Sequence, residues 1–252
     1  MGNIFKIENL QYKNILNGVN LSIKEKTFNI LVGLNGSGKT TLVNCIRGLL
    51  KYNGIINLDS TLTQTNIGFF MNDEIIIQNN LFDELLNYLM NLDYDVESAK
   101  KKIYELTKKL DIISLLYKKK EELRNFEYTL ISFIFAVIND PKLLIIDNNL
   151  ESLDEYYKNK LFNYIKSQKK ITVLLITTNS DYFYMSDNIF IINGGIITLE
   201  FTKKDIIKNE KNLIKNGSNL PFNVDLYNKL RSYELLKNEE LDLGKMVDEI
   251  WN

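Results

Sequence analysis

The 252-residue sequence contains no histidine. That removes imidazole proton shuttles, His–Ser and His–Cys nucleophilic catalysis and His-ligated zinc. One cysteine, Cys45, leaves no internal disulfide framework and no cysteine-cluster metal site, and it suits a reducing cytosol. Only two prolines occur, Pro141 and Pro221, so composition marks few breaks along the chain. Neither sign of charge is in excess: 31 Lys and Arg face 32 Asp and Glu. A global field that would gather nucleic acid is therefore missing, and no nucleic-acid partner is expected. Long apolar runs are missing too. Leu130–Ile138 is the greasiest stretch, contains Ser132 and is too short to span a bilayer. Met1–Leu10 alternates polar and apolar residues, so no signal peptide is expected.

What is present is an ordinary globular composition, 45% hydrophobic and 25% charged, in a chain long enough for one large domain or a domain with an appendage. Ile4–Leu10 and Val19–Ile23 alternate and predict half-buried strands. Phe28–Val32 and Leu143–Ile146 are short continuous apolar runs, the pattern of buried parallel strands. Gly54–Leu58, Ile67–Phe70, Ile171–Thr177, Asn188–Ile192 and Gly195–Leu199 also read as strands. Helices are predicted over Thr41–Leu50 and Leu153–Ser167, and three- and four-residue spacing runs from Leu81 to Ile138. Strands alternating with helices predict an α/β fold with a mainly parallel sheet, an inserted helical subdomain at about residues 73–139, and a separate helical tail from residue 219.

Gly33–Thr41 reads GLNGSGKTT and fits G-x-x-x-x-G-K-[ST] through Gly33, Gly38, Lys39 and Thr40. Glycines let the backbone turn tightly so that successive N–H groups point at phosphate oxygens. The loop, with Asn35, Gly36 and Ser37 inside it, feeds a predicted helix whose N-terminal dipole favours negative charge. Lys39 is the expected contact to the β- and γ-phosphates, and the Thr40 hydroxyl is an expected Mg²⁺ ligand. Asp147, at the end of the apolar run Leu143–Ile146, is the matching second Mg²⁺ element. The loop lies between a buried strand and a helix, as the motif requires.

Over nearly its whole length the sequence resembles the ABC ATPases. GLNGSGKTTL resembles their Walker A motif with its additional Thr41, and DPKLLIIDNNLESLD (residues 140–154) resembles Walker B followed by the D-loop Ser152-Leu153-Asp154. The tail, residues 220–252, resembles the C-terminal extension of energy-coupling factor (ECF) transporter ATPases, through Leu220-Pro221-Phe222, Leu230 and Leu243–Ile250. The resemblance implies a P-loop NTPase fold: a nucleotide-binding domain over residues 1–218 with a β subdomain and the helical insertion, and a dimerisation or regulatory extension over 219–252. It implies ATP and Mg²⁺ as cofactors. It implies a second ATP-binding subunit, a paralogue or a copy of itself, and a transmembrane scaffold protein as partners, on the cytoplasmic face of the membrane. Tyr12 occupies the place where the family stacks an aromatic ring on adenine; a strand tyrosine covering a sheet edge is the other reading.

Several positions depart from the family. The signature LSGGQ falls at Leu123, Arg124, Asn125, Phe126 and Glu127, where only the leucine is kept. Asn125 and Phe126 replace glycines that let backbone approach a γ-phosphate. Arg124 replaces the phosphate-contacting serine; it is either a phosphate partner of different geometry or a solvated surface cation. Asn148 stands where the family has its glutamate; a carboxamide orients water but accepts no proton. Thr178 stands at the switch histidine and Asn72 at the Q-loop glutamine. The elements that act on the γ-phosphate are thus altered and those that grip ATP are kept. The function expected from the resemblance is an ATP-binding subunit of an importer for a vitamin or other micronutrient, the degenerate half of a heterodimer. The alternatives are a non-hydrolysing structural or regulatory subunit and, disfavoured by the tail, a soluble ABC protein unconnected to transport.

Overall fold

A computed structural model describes residues 2–71, 78–147, 150–236, 238 and 241–251. In chain order the strands and helices are β1 (Asn3–Tyr12), β2 (Leu16–Lys24), β3 (Phe28–Val32), α1 (Lys39–Ile46), β4 (Asn53–Leu58), β5 (Ile67–Phe70), α2 (Leu81–Met90), α3 (Val96–Lys109), α4 (Asn125–Val137), β6 (Leu143–Asp147), α5 (Glu155–Ser167), β7 (Thr172–Thr177), β8 (Asn188–Asn193), β9 (Ile196–Thr202), α6 (Glu210–Lys215), α7 (Phe222–Ser232) and α8 (Leu243–Trp251). Every predicted strand is present. The chain divides into two compact units, one of Met1–Lys6, Ser22–Thr27 and Ile56–Ile176, the other of Ile7–Leu21, Phe28–Ile55 and Thr177–Asn252.

Most elements differ from the sequence reading by a few residues at their ends, and two differences have a clear local cause. The first helix stops at Ile46 rather than Leu50. Gly48 takes φ +74°, its N–H donates to the Cys45 carbonyl, and the Leu49 N–H donates to the Asn44 carbonyl. That pair of bonds is a Schellman stop, which glycine permits without a Cβ clash. The helical run from 81 to 138 is three helices rather than one stretch. Asn80 caps α2 by accepting from the Asp83 N–H, and Asp95 caps α3 by accepting from the Ser98 N–H. Helix α6 carried no signal that was read in advance.

In the first unit β5, β6 and β7 are parallel, with Ile67 opposite Leu143 and Leu143 opposite Thr172 at the start of the register. β6 and β7 are buried along their full length. Both carry continuous apolar runs because neither face meets water. α4 lies close on β5: a Cβ on Gly68 would sit 2.0 Å from the Ala136 carbonyl oxygen. Phe70 meets Phe133 of α4 edge-on with centroids 5.3 Å apart. β2, β1 and β4 form a three-stranded sheet in that order. β1 and β2 alternate buried with exposed residues, as a one-sided sheet requires.

In the second unit β3 runs parallel to β8 and β8 antiparallel to β9, with a register shift at Ile191/Ile192. The C-terminal helices have their own small core of Tyr227, Leu236 and Met246, onto which Leu226, Leu230, Leu241 and Ile250 pack. The tail and the residues leading into it are tied down at two points. The Phe222 N–H, at the first turn of α7, donates to Asp181 Oδ1 at 2.8 Å. Gly217, at φ +77°, lies so close to Leu34 that a Cβ there would be 2.6 Å from its side chain.

Candidate nucleotide site

β3 ends at Val32 and the chain turns at once into the glycine loop. Gly33 is buried and has no room for a side chain: a Cβ would be 2.3 Å from the Ile192 carbonyl oxygen and 2.6 Å from Ser37 Oγ. The Ser37 N–H donates to the Leu34 carbonyl at 3.1 Å, closing the turn. Gly36 and Gly38 hold φ +80° and +102°, which L-residues with a Cβ rarely adopt. Gly38 is the N-cap of α1 and offers no side-chain acceptor to the first-turn amides; no acidic residue lies in that turn. The first turn of α1 thus supplies no anion of its own to the dipole end, a condition for holding an external one.

Lys39 is buried at 8% exposure. Its ammonium donates to the Gly33 carbonyl at 2.7 Å and the Leu34 carbonyl at 2.8 Å, with Ser37 Oγ at 3.5 Å. The charge is thus held over the loop by carbonyl dipoles. Gly36 has open space around it, Asn35 and Thr40 are exposed, and Thr41 is half-buried. These features fit a bound phosphate chain: glycine-shaped backbone, an uncapped helix start and a lysine at its mouth. Tyr12 belongs to the same unit and ends β1. The residues just after it border the loop, since a Cβ on Gly38 would meet the Leu16 side chain at 2.7 Å and the Ile15 carbonyl at 3.3 Å. The Tyr12 ring carries the Lys13 ammonium 5.1 Å from its centroid, so one face already has a cationic neighbour. Thr178 also belongs to this unit and is half-buried; Asn179 beside it accepts from the Asp181 N–H and starts the 3-10 turn Ser180–Met185.

The first unit carries the other predicted residues. Asp147 closes β6, is 8% exposed and lies opposite Ile176 in the register. Leu123–Glu127 straddles the start of α4, with Arg124 as N-cap. The Arg124 backbone N–H donates to Glu127 Oε2 at 2.8 Å, and Lys118 Nζ donates to Glu127 Oε1 at 2.7 Å. Burial works to raise the Glu127 pKa, but the Lys118 hydrogen bond, the Arg124 amide and both cationic charges outweigh it and hold the carboxyl below its ordinary value. The start of α4 therefore already holds an anion of its own. Phe126 lies against Tyr157 at 5.9 Å, and Arg124 and Asn125 are exposed. Ser152 Oγ is 2.7 Å from Thr129 Oγ1 of α4, and Asp154 caps α5 by accepting from the Tyr157 N–H. The D-loop is in this way fastened to the helix that begins with the signature segment. Asn72 and Asn148 lie outside the described residues. Lys118, Thr129, Ile192 and Gly217 were not found from the sequence; each acts through a neighbour that chain spacing does not reveal.

The ABC transporter family profile matches residues 16–151. Among curated relatives, the energy-coupling factor transporter ATP-binding protein EcfA of Pediococcus pentosaceus is 28% identical over a match covering all of this chain and 97% of that protein. EcfA2 of Caldanaerobacter subterraneus is 27% identical, over 86% of this chain and 82% of that protein. Among solved structures, an ATP-binding subunit of an ABC transporter superposes with TM-score 0.75 at 20% identity, over 90% of this chain and 99% of that one. cbiO1 of Clostridium perfringens, described as part of the ABC transporter complex cbiONQ, superposes with TM-score 0.72 at 22% identity, over 85% and 94%. A family profile spanning more than half the chain, relatives aligned from end to end and the glycine loop built on β3 lead to one conclusion: this chain belongs to the ABC transporter ATP-binding family, whose cofactor is ATP with Mg²⁺.

Proposed function

We propose that the chain is the ATP-binding subunit of an ECF-like importer of a vitamin or other micronutrient, acting as the degenerate half of a heterodimer. Residues 1–218 form its nucleotide domain and 219–252 its docking extension. It sits at the cytoplasmic face of a membrane, beside a more complete paralogue and a transmembrane scaffold. The relatives named as ECF ATP-binding proteins and the likeness to a cbiONQ subunit support the setting. Among the described residues no helix is long and apolar enough to cross a membrane, which suits a peripheral subunit.

The observation that carries the degenerate reading is Glu127. In the family the helix start at this place approaches the γ-phosphate of a nucleotide bound to the partner. Here its first turn is occupied by a buried carboxylate bound to Lys118 and the Arg124 amide. Two anions at one helix start repel, so the segment is a poor γ-phosphate contact. Gly33–Thr41 keeps its phosphate-binding form, with Lys39 for the β- and γ-phosphates and Thr40 for Mg²⁺. Mg·ATP, once bound, supplies a hydrolysable phosphoanhydride. This chain's part is to grip the phosphates, position the metal and leave water activation to another subunit, since Asn148 and Thr178 offer no base near neutrality.

The purified chain is expected to take up Mg·ATP by calorimetry and to turn it over near background. Lys39→Ala is expected to weaken uptake about tenfold or more, the effect of losing a charge-assisted phosphate contact. Brisk hydrolysis by the paralogue-free protein, or no nucleotide uptake at all, would overturn the reading. The same Glu127 observation favours a second role, in which ATP acts only as a stabilising ligand of a non-hydrolysing subunit. An assembled complex that transports with ATP binding but without turnover would select it.

A further inference from the structure

A cavity of about 410 Å³ lies in the first unit, lined by none of the candidate nucleotide-site residues. It opens at the N-terminal ends of β6 and β7, among Val137, Pro141, Tyr164, Lys169, Lys170 and Ile171. Asp147 closes the other end of β6, about 15 Å away at the usual rise of a strand. A second hollow of about 150 Å³ adjoins it, sharing Asp140, Tyr164 and Gln168 and adding Lys102 and Lys109. Its volume alone places the larger cavity within the range of small-molecule sites, roughly 300–1,000 Å³.

The charge around these walls is one-sided. Lys102, Lys109, Lys142, Lys169 and Lys170 are opposed by Asp140 and Glu105 alone. Asp140 is taken by its ion pair with Lys102, and Lys142 donates to the Thr61 carbonyl at 3.3 Å. Lys109, Lys169 and Lys170 have no hydrogen-bond or ion-pair partner among the described residues. Tyr164 packs its ring edge-on against Phe133 at 5.9 Å, and its hydroxyl has no hydrogen-bond partner among the described residues. Burial first, and the Asp140 charge second, push this phenol up to about 12, so it remains a neutral O–H donor at any working pH. An apolar hollow with an unused donor inside and uncompensated cations at the rim is an arrangement that an anion with an apolar body would satisfy.

We propose that this cavity binds a small organic anion, a phosphate or carboxylate carried on a flat apolar ring. Lys169 and Lys170 meet the anion, Tyr164 donates a hydrogen bond to it, and Val137, Pro141 and Ile171 cover the ring. The site is separate from the nucleotide loop and independent of the transport reading. Val137 is also the last residue of α4, so the cavity and the signature segment share one helix.

The test titrates the full chain, saturated with Mg·ATP to fill the phosphate loop, with 1-naphthyl phosphate as a fluorescent probe. Inorganic phosphate and 1-naphthol serve as the charge-only and ring-only arms. One saturable site per chain is expected, with each fragment about tenfold weaker or more than the joined probe. Lys169→Glu with Lys170→Glu is expected to weaken binding about tenfold or more, and Tyr164→Phe about fivefold, the loss of one hydrogen bond. Mg·ATP uptake should be unchanged in both variants. Unsaturable uptake, or equal affinity in the charge-reversed protein, would sink the proposal. Both lysines are exposed, so their reversal decides the matter even if Tyr164→Phe perturbs the fold.

Discussion

Glu127 is matched by the resemblance to the final residue of the family signature, and its carboxylate is engaged at its own helix start. It is 6% exposed, and two donors on different sides hold its carboxylate. Its pKa in the folded chain lies below the ordinary 4.5. A carboxyl whose folded pKa is depressed contributes stability that is fully present above the unfolded value and is lost as pH falls through the folded one. Glu127→Gln should therefore lower Tm at neutral pH, and the gap to the wild type should close as pH drops below about 4.5. A melting series from pH 7 to pH 3 checks this; a gap that is constant with pH would show that the carboxylate charge contributes nothing. The substitution from glutamine to glutamate in the signature was legible in the sequence. Its consequence was not, because Lys118 lies nine positions earlier in an irregular segment with no periodicity to place it.

At the scale of elements, the strand–loop–helix unit from Phe28 to Ile46 was legible because its parts are local. A short apolar run, glycines at fixed offsets and a following helix need no distant partner to be recognised. The seating of α4 on β5 was not legible. It depends on Gly68, an unremarked residue in a predicted strand, meeting the Ala136 carbonyl from a helix 68 positions on. Gly68→Ala should cost about 3 kcal/mol or more, since a Cβ 2.0 Å from a backbone oxygen forces strand and helix apart. Chemical denaturation with an unchanged m-value would measure it. A loss below about 1 kcal/mol would mean that α4 can shift freely, and that the Ser152–Thr129 link to the D-loop is correspondingly loose.

At the scale of the molecule, the C-terminal extension carries an exposed apolar stripe. α8 puts Met246 into the small core with Tyr227 and Leu236, and Ile250 packs on it. Its other side leaves Leu243, Val247 and Trp251 exposed at 41%, 52% and 84%. Those three recur at four-residue spacing along one stripe, the form of a helix that docks on a partner. Val247→Glu should leave Mg·ATP uptake and Tm unchanged and abolish or weaken pairing with a second ATP-binding subunit, read by light scattering on size-exclusion chromatography. Undiminished pairing would assign the dimer contact elsewhere. The extension is held to the segment after Thr178 through Phe222 and Asp181, and Gly217, just before it, lies against Leu34 of the glycine loop. The extension is therefore tied to the segment that follows Thr178.

The sequence by itself determined the chemistry on offer. Gly33–Thr41 can cradle phosphate, no histidine exists to activate water, and the apolar run Leu143–Ile146 reads as a strand. These are properties of residue type at short spacing, and the backbone forces that read them act over a few residues. Only the tertiary structure decided that Glu127 caps the start of its own helix, that Gly68 and Gly217 are contact points, and that Tyr164 lines a lysine-rimmed cavity. Such facts depend on which side chains approach from distant segments, and close packing, which sets those approaches to within an ångström, leaves no periodic trace in the chain.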